Sequence, residues 1–170
     1  MSDCRISVDV ADAKRIPRAK GFYDNIENLL NFPIKARGSF HSYIQSDRMS
    51  MDIDKKGFLL NIEISVPKDE WVADDRITPP SAGGLAKLRF LDYRLNISGE
   101  SYFTNREKNL LYICFAQDKH VKTLEIAENL LADVNVVNEL VGLWLLDLDE
   151  DFGFKKEMAF RKGLDSKSQK

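Results

Sequence analysis

The chain has 170 residues, of which 44% are hydrophobic and 31% charged, an ordinary composition for a globular protein. Its 25 Lys and Arg residues nearly balance 27 Asp and Glu residues, which leaves a formal net charge of −2. That balance argues against a dedicated nucleic-acid-binding protein, because such a protein needs an excess of basic surface. The apolar run Leu140–Leu146 is far too short to span a bilayer, and residues 1–20 show no signal peptide. We therefore expect a cytoplasmic protein without a membrane segment.

The N-terminal third predicts a strand followed by a helix. Residues 5–9 alternate between polar and apolar types and predict a short edge strand. Apolar residues then recur at helical spacing, so the sequence predicts a short amphipathic helix over 21–31 that ends before Pro33. The apolar residues of this segment are Phe22, Ile26, Leu29 and Leu30.

A β-hairpin and a linker are predicted next. Strands are expected over 40–46, 49–53 and 60–66, and the turn Asp54–Gly57 joins the last two. The segment 68–84 is charged, contains two consecutive prolines and ends in two glycines, which is typical of a linker. Trp71 is its one bulky residue and is expected to fix the first half of the linker to the body of the protein.

The C-terminal half predicts further strands and a second hairpin. Strands are expected over 91–97, 101–103 and 110–116, whereas 123–129 is either irregular or a short strand. The second hairpin covers 130–136 and 140–148. Beyond Gly153 the pattern favours a helical stretch, and 164–170 is expected to be a disordered tail.

The two hairpins align with each other without a gap. Residues 52–64 match 133–145, with Asn138 at the position of Gly57. Because asparagine is the usual substitute for glycine at positive φ, the turn chemistry is the same in both copies. Trp144 replaces Glu63, so the later strand is expected to be covered on both faces. The alignment predicts an internal repeat.

Three stretches of the second half carry a resemblance to a known family. They are Asn109–Phe115, Asn129–Asn135 and Asn138–Leu146. Residues 101–148 resemble a short bacterial domain family of unknown function with the pattern D-x-L-Y-I-x-L followed by D-x-D-x-x-G-x-L-V-G-I-E-I-L, and residues 47–66 resemble its second half more weakly. The chain departs from this pattern at Asn138 and Trp144. The resemblance implies a small antiparallel sheet in a bacterial protein, and it brings no activity or catalytic residue.

These observations together predict an α+β fold that is mainly antiparallel β. Two repeated hairpin units form the sheet, with a short N-terminal helix and a C-terminal helix beside them. The expected divisions are a first half over 1–67, the linker 68–84, a second half over 85–163 and the tail 164–170. We expect the two halves to pack as one compact domain.

An acidic cluster gives the strongest candidate site. Its residues are Asp147, Asp149, Glu150 and Asp151, and a second patch consists of Trp71, Asp74 and Asp75. Three interpretations remain open for the cluster: acids that keep a strand end solvated, a docking surface for a basic protein, or a site for Mg²⁺ or Ca²⁺.

Other chemistry has little support in the sequence. The turn around Asp52 and Asp54 resembles a calcium loop, but Lys56 stands where an oxygen ligand is required. His41 and His120 have no local catalytic partner, and no phosphate-binding loop or nucleophile motif is present. The two cysteines, Cys4 and Cys114, are expected to be free thiols. No cofactor is predicted.

Two functional hypotheses follow from these features of the sequence. The first is a non-enzymatic protein-binding module, in its sharper form an immunity-like protein that neutralises a toxin through the acidic residues. The second is a small-molecule-binding protein or an enzyme with a pocket between the two halves, lined by His41, Tyr43 and Tyr112. Self-association through the apolar second hairpin is a third alternative.

Overall fold

The computed structural model describes residues 5–35 and 38–168, without the side chains of 164–168. Its first elements are β1 (Val8–Asp12), β2 (Phe22–Asp24), β3 (Leu29–Pro33), β4 (Phe40–Gln45), β5 (Met49–Asp54), β6 (Leu59–Ile64), a 3₁₀ turn (Lys68–Glu70) and β7 (Val72–Ala73). The later elements are β8 (Ala86–Phe90), β9 (Leu95–Asn96), β10 (Ser101–Thr104), β11 (Leu111–Cys114), β12 (Val121–Ala127), β13 (Leu130–Asn135), β14 (Leu140–Leu145), β15 (Asp149–Asp151) and α1 (Lys155–Ser168). Cys4 lies outside the described residues.

The described strands form three sheets. The first sheet has seven strands in the order β15-β2-β3-β6-β5-β4-β9, and the second sheet has six in the order β12-β13-β14-β11-β10-β7. β1 and β8 form a separate two-stranded ribbon. Neighbouring strands are antiparallel except for the pairs β15–β2, β7–β10 and β4–β9. Within 5–35 and 38–168, no helix has the length and apolar character of a membrane span.

The prediction of an α+β fold with an N-terminal helix is wrong. Residues 22–33 form the hairpin β2–β3, in which Tyr23 lies opposite Leu30. Asn28 in its turn has a φ of 54°, which ends any helical path, and Ile26 is exposed at the tip. Because both faces of this hairpin are largely buried, its apolar residues form short runs whose spacing also fits a helix. The protein is therefore mostly β, with α1 at its C-terminal side.

The strand pairings of the first sheet recur in the second sheet 81 positions later. Leu30 pairs with Ile64 in the first sheet, as Leu111 pairs with Leu145 in the second. The turns correspond in the same way. The Asp54 carboxylate accepts hydrogen bonds from the backbone N–H of Lys56 and Phe58 (both 2.9 Å), and the Asn135 side chain accepts them from Val137 (3.1 Å) and Glu139 (2.9 Å).

Each sheet has an edge strand that follows, along the chain, a strand of the other sheet. β7 follows β6 of the first sheet but pairs with β10 of the second, with Val72 opposite Phe103. β15 follows β14 of the second sheet but pairs with β2 of the first, with Asp149 opposite Phe22. One apolar core contains residues of both sheets and of the ribbon. Separating the sheets would therefore break backbone hydrogen bonds as well as the core.

The segments after the exchanged strands cover the outer faces of the sheets. Ile77, which follows β7, packs on a small apolar cluster formed by Leu110, Leu131 and Trp144 of the second sheet. Every residue of β14 is consequently buried, which confirms the expected coverage of both its faces. On the first sheet, Phe160 of α1 packs against Phe22 with ring centroids 5.5 Å apart.

Asp151 fixes the start of α1. Its carboxylate accepts hydrogen bonds from the backbone N–H of Phe152, Lys156 and Glu157, each at 2.9 Å. Burial alone would raise the pKa of Asp151, but these hydrogen bonds and the charge of Lys156 together lower it. The folded state therefore favours the ionised carboxylate.

This lowered pKa predicts how the stability depends on pH. The ionised Asp151 stabilises the fold above its usual pKa of 3.8, and this contribution is lost as the pH falls through the lower pKa of the folded state. Asp151→Asn is expected to lower the free energy of unfolding at pH 7 by about 1 kcal/mol, and the difference from the native protein should shrink below pH 4. Urea unfolding at pH 7, 4 and 3 measures this difference in the free energy of unfolding. Asp149→Asn, at a half-exposed carboxylate, is the control, and a difference that grows on acidification would contradict the assignment.

Candidate ligand-binding cavity

The acidic cluster is largely neutralised within the chain. Lys20 Nζ lies 2.7 Å from a carboxylate oxygen of Asp147 and 3.5 Å from one of Asp149. Lys68 Nζ lies 3.2 Å from Glu150. Within the described part of the chain, no group of three or more His, Cys, Asp or Glu residues is arranged to hold a metal ion. The ion pairs with these two lysines explain the exposed acids of the cluster better than a metal site does.

Two of the predicted surface residues are buried instead. Trp71 is 3% exposed, and its indole N–H donates to the carbonyl oxygen of Val66 at 3.0 Å. Asp151 is 2% exposed and caps α1. These positions correct their assignment to a partner-binding surface, because a docking protein could not reach either side chain. The anchoring role expected of Trp71 in the first half of the linker agrees with its burial.

The second acidic patch is also paired. Asp74 accepts hydrogen bonds from Arg76, with the closest ion-pair distance at 3.1 Å, and Asp75 lies 2.9 Å from Arg106. Asp74 follows β7 of the second sheet, whereas the acidic cluster lies around β15 of the first. The structure therefore places the two predicted patches at the edges of different sheets.

A cavity of about 550 Å³ lies where the first sheet, the second sheet and the ribbon meet. Its walls come from the β5–β6 turn, from β8, from the β12–β13 hairpin and from the connection that contains Arg15 and Pro17. The ribbon holds the β5–β6 turn in place, because Phe90 N–H donates to the carbonyl oxygen of Gly57 at 2.8 Å. A cavity of this size can hold a small organic molecule.

The floor of the cavity is apolar and buried. Its side chains come from all three sheets, and each is less than one tenth exposed. They are Ile34, Leu59, Leu88, Ile126 and Leu130. Such a floor favours the hydrocarbon part of a ligand, because burial there removes apolar surface from water.

The rim of the cavity is basic. Arg15, Lys55, Lys56 and Lys87 line it with exposed side chains. Among residues 5–35 and 38–168, no carboxylate forms an ion pair with any of these four. Asp54 also lines the cavity, but its carboxylate is already bound to the backbone of its own turn. The rim therefore has an excess of positive charge.

The corresponding turn of the second sheet lacks this charge. Val136 and Val137 occupy the positions of Lys55 and Lys56, and they are 83% and 68% exposed. In both turns the side chain of the first residue accepts hydrogen bonds from the backbone N–H groups two and four residues later, so the turn geometry does not require lysine. The two lysines therefore distinguish the β5–β6 turn, which lines the cavity, from the β13–β14 turn.

Asp133 forms a buried polar cluster on the outer face of the second sheet. Asp133 is 5% exposed, and its carboxylate accepts hydrogen bonds from Thr123 Oγ1 (2.6 Å), Trp144 Nε1 (3.1 Å) and Tyr112 Oη (3.3 Å). Burial and the neighbouring Asp133 raise the pKa of Tyr112, so its hydroxyl stays protonated. Each of these polar side chains has a hydrogen-bond partner within the cluster, so the cluster stabilises the sheet.

The side chains expected to line a pocket lie elsewhere. His41 packs edge-on against Tyr93 with ring centroids 5.6 Å apart, and Tyr112 belongs to the Asp133 cluster. Neither of them lines the cavity, nor does Tyr43. The described residues that do line it come from five separated parts of the chain, which spacing in the sequence does not bring together. The consecutive lysines at the first turn are the one local signal of the site.

Comparisons with known proteins do not indicate a family for this chain. No protein-family model matches it, and no curated protein matches its sequence. The resemblance of residues 101–148 to a short bacterial domain family therefore stays a prediction.

Proposed function

We propose that the protein binds a small amphipathic molecule in the cavity between its first sheet, its second sheet and the ribbon. The observation that carries this proposal is the combination of a buried apolar floor with an exposed basic rim in a space of about 550 Å³. Ligand sites in proteins are typically concave and mostly apolar, with a few polar groups that orient the ligand. Binding in this cavity corresponds to the second of the two functional hypotheses.

Binding is favoured over catalysis by the chemistry of the lining residues. The described residues that line the cavity include neither histidine nor cysteine, and Asp54 is held by its own turn. Ser39 is the one hydroxyl among them, and within the described residues its side chain has no hydrogen bond to a base. A nucleophile needs such a base for activation, so we assign the cavity to binding.

The hypothesis of an acidic docking surface has less support. Five of its seven residues are in ion pairs within the chain, and Trp71 and Asp151 are buried. A basic toxin would have to displace Lys20 and Lys68 before it reached the acidic cluster. An immunity-like role therefore remains a proposal without a surface suited to it.

We include the internal repeat in the proposal. The recurrence of strand pairings and turn hydrogen bonds supports a duplicated unit in which one copy carries the binding residues. In this interpretation the lysines at the first turn serve the ligand, and the valines at the second turn do not. Bacterial origin and a cytoplasmic location remain expectations from the sequence.

Blocking the cavity tests the proposed function. Ser39 is exposed at the rim, so Ser39→Trp is expected to fill part of the cavity without disturbing the core. We expect the neutral fluorescent probe N-phenyl-1-naphthylamine to bind the native protein at one site and to bind this variant at least about tenfold more weakly. Fluorescence titration measures the affinity.

Ser81→Trp is the matched control, because Ser81 is exposed in a loop that does not line the cavity. Its affinity for the probe should equal that of the native protein. Failure of the native protein to bind the probe, or equal losses in both tryptophan variants, would overturn the proposed function.

A further inference from the structure

We infer that the ligand of the cavity is an amphipathic anion, with a single anionic head group such as a carboxylate on an unbranched hydrocarbon body. This inference rests on the proposed function and adds the chemical class of the ligand. Two observations carry it: the unpaired basic side chains at the rim, within the described part of the chain, and the depth of apolar side chains beneath them.

The charge of the rim selects the head group. Four exposed cationic side chains line the cavity, and none of the ion pairs among the described residues involves any of them. Basic groups placed close together repel each other, and a bound anion relieves that repulsion. A cationic head group would add to it, and a neutral head group would leave it unchanged.

The position of the lysines is fixed by the fold. Lys55 and Lys56 occupy the tip of a turn whose backbone is held by Asp54 on one side and by Phe90 on the other. These hydrogen bonds hold the Cα atoms of both lysines beside the cavity, while the long side chains can still rotate. The same positions in the second turn are Val136 and Val137, which shows that the turn itself does not select lysine.

The apolar floor selects the body of the ligand. Leu59, Leu88 and Ile126 lie beneath the rim, and each is buried. Phe58 is the one aromatic residue among the described residues of the lining, so a stacked base has a platform on one side at most. A polyanion would leave most of the apolar side chains of the floor without an apolar contact from the ligand. A flexible chain of methylene groups fills it and gains about 0.8 kcal/mol for each buried methylene.

The test compares three ligands that share a ten-carbon chain: decanoate, decanol and decyltrimethylammonium. Each is titrated against the complex of the protein with N-phenyl-1-naphthylamine, and the concentration that displaces the probe gives the affinity. We expect decanoate to bind about tenfold more tightly than decanol, and the cation to bind more weakly than both. The advantage of decanoate should shrink as the salt concentration rises.

A double variant at the rim assigns the effect to its cause. Lys55→Gln with Lys56→Gln should weaken decanoate binding about tenfold and leave decanol binding unchanged. Lys155→Gln with Lys162→Gln removes the same charge from exposed positions on α1, outside the cavity, and should leave both ligands unchanged.

The outcomes separate this inference from the proposed function. If decanol displaces the probe as well as decanoate does, or if the rim variant weakens both equally, the anionic head group is ruled out while the binding cavity stands. If the α1 variant weakens decanoate as much as the rim variant does, the preference reflects overall charge and the inference also fails. If the native protein does not bind the probe, the proposed function itself fails.

Discussion

Gly57→Ala is expected to lower the free energy of unfolding by about 3 kcal/mol or more. Gly57 has a φ of 93°, a conformation that residues with a Cβ rarely adopt. A Cβ at this position would also clash with the carbonyl oxygen of Phe90 and would lie 2.7 Å from Arg89 Cγ. Because the Phe90 carbonyl belongs to the ribbon, the turn can accommodate alanine only by moving away from β8. Urea unfolding followed by circular dichroism measures the loss.

Asn138→Ala is the matched control for this prediction. Asn138 occupies the same position in the second turn with a φ of 59°, which asparagine adopts at low cost. We expect alanine there to cost about 1 kcal/mol, because the left-handed conformation alone is penalised. Equal losses at the two positions would show that the contact with Phe90 contributes nothing.

Asp133→Ala is expected to cost about 3 kcal/mol, because it removes the acceptor of three hydrogen bonds in a buried cluster. Trp144 Nε1 and the hydroxyl groups of Thr123 and Tyr112 would each lose their partner. Hydroxyl groups can turn toward another acceptor, whereas the indole N–H is fixed by the ring. The loss is measured by urea unfolding followed by circular dichroism.

Asp52→Ala is the control, since Asp52 lies 81 positions earlier at the corresponding place in β5. Burial raises the pKa of Asp52, although Arg161 and Ser50 act to lower it, so its ionised form is not favoured by the fold. We expect this change to cost less than about 1 kcal/mol. A loss at Asp52 as large as that at Asp133 would contradict the role assigned to the cluster.

The two hairpins are predictable from the sequence because their signals are local. Gly57 and Asn138 mark positive φ, and the alternation before and after Gly57 indicates the inward faces of the strands in the first hairpin. The segment 22–33 predicts the wrong element because continuous apolar runs fit a helix and a buried hairpin equally well. The sequence of β12 does not decide between an irregular segment and a strand, since its glutamate interrupts the apolar pattern.

The exchange of β7 and β15 between the sheets could not be inferred from the sequence. β7 has two residues inside a segment that is typical of a linker, and its partner is the parallel strand β10, with Val72 opposite Phe103. Hydrogen bonds between parallel edge strands leave no signature in residue types. The cavity is equally absent from the local sequence signals, because its residues lie in the first sheet, the ribbon and the second sheet.

The cavity as the binding site is tested most directly by nuclear magnetic resonance of the full chain with labelled isoleucine and leucine methyl groups. N-phenyl-1-naphthylamine is titrated into the protein, and its aromatic rings shift the resonances of nearby methyl groups. We predict the largest shifts at Leu59, Leu88 and Ile126 on the cavity floor. Shifts confined to the exposed Ile26, with the floor residues unchanged, would show that the probe binds at the surface and would contradict the assignment of the cavity.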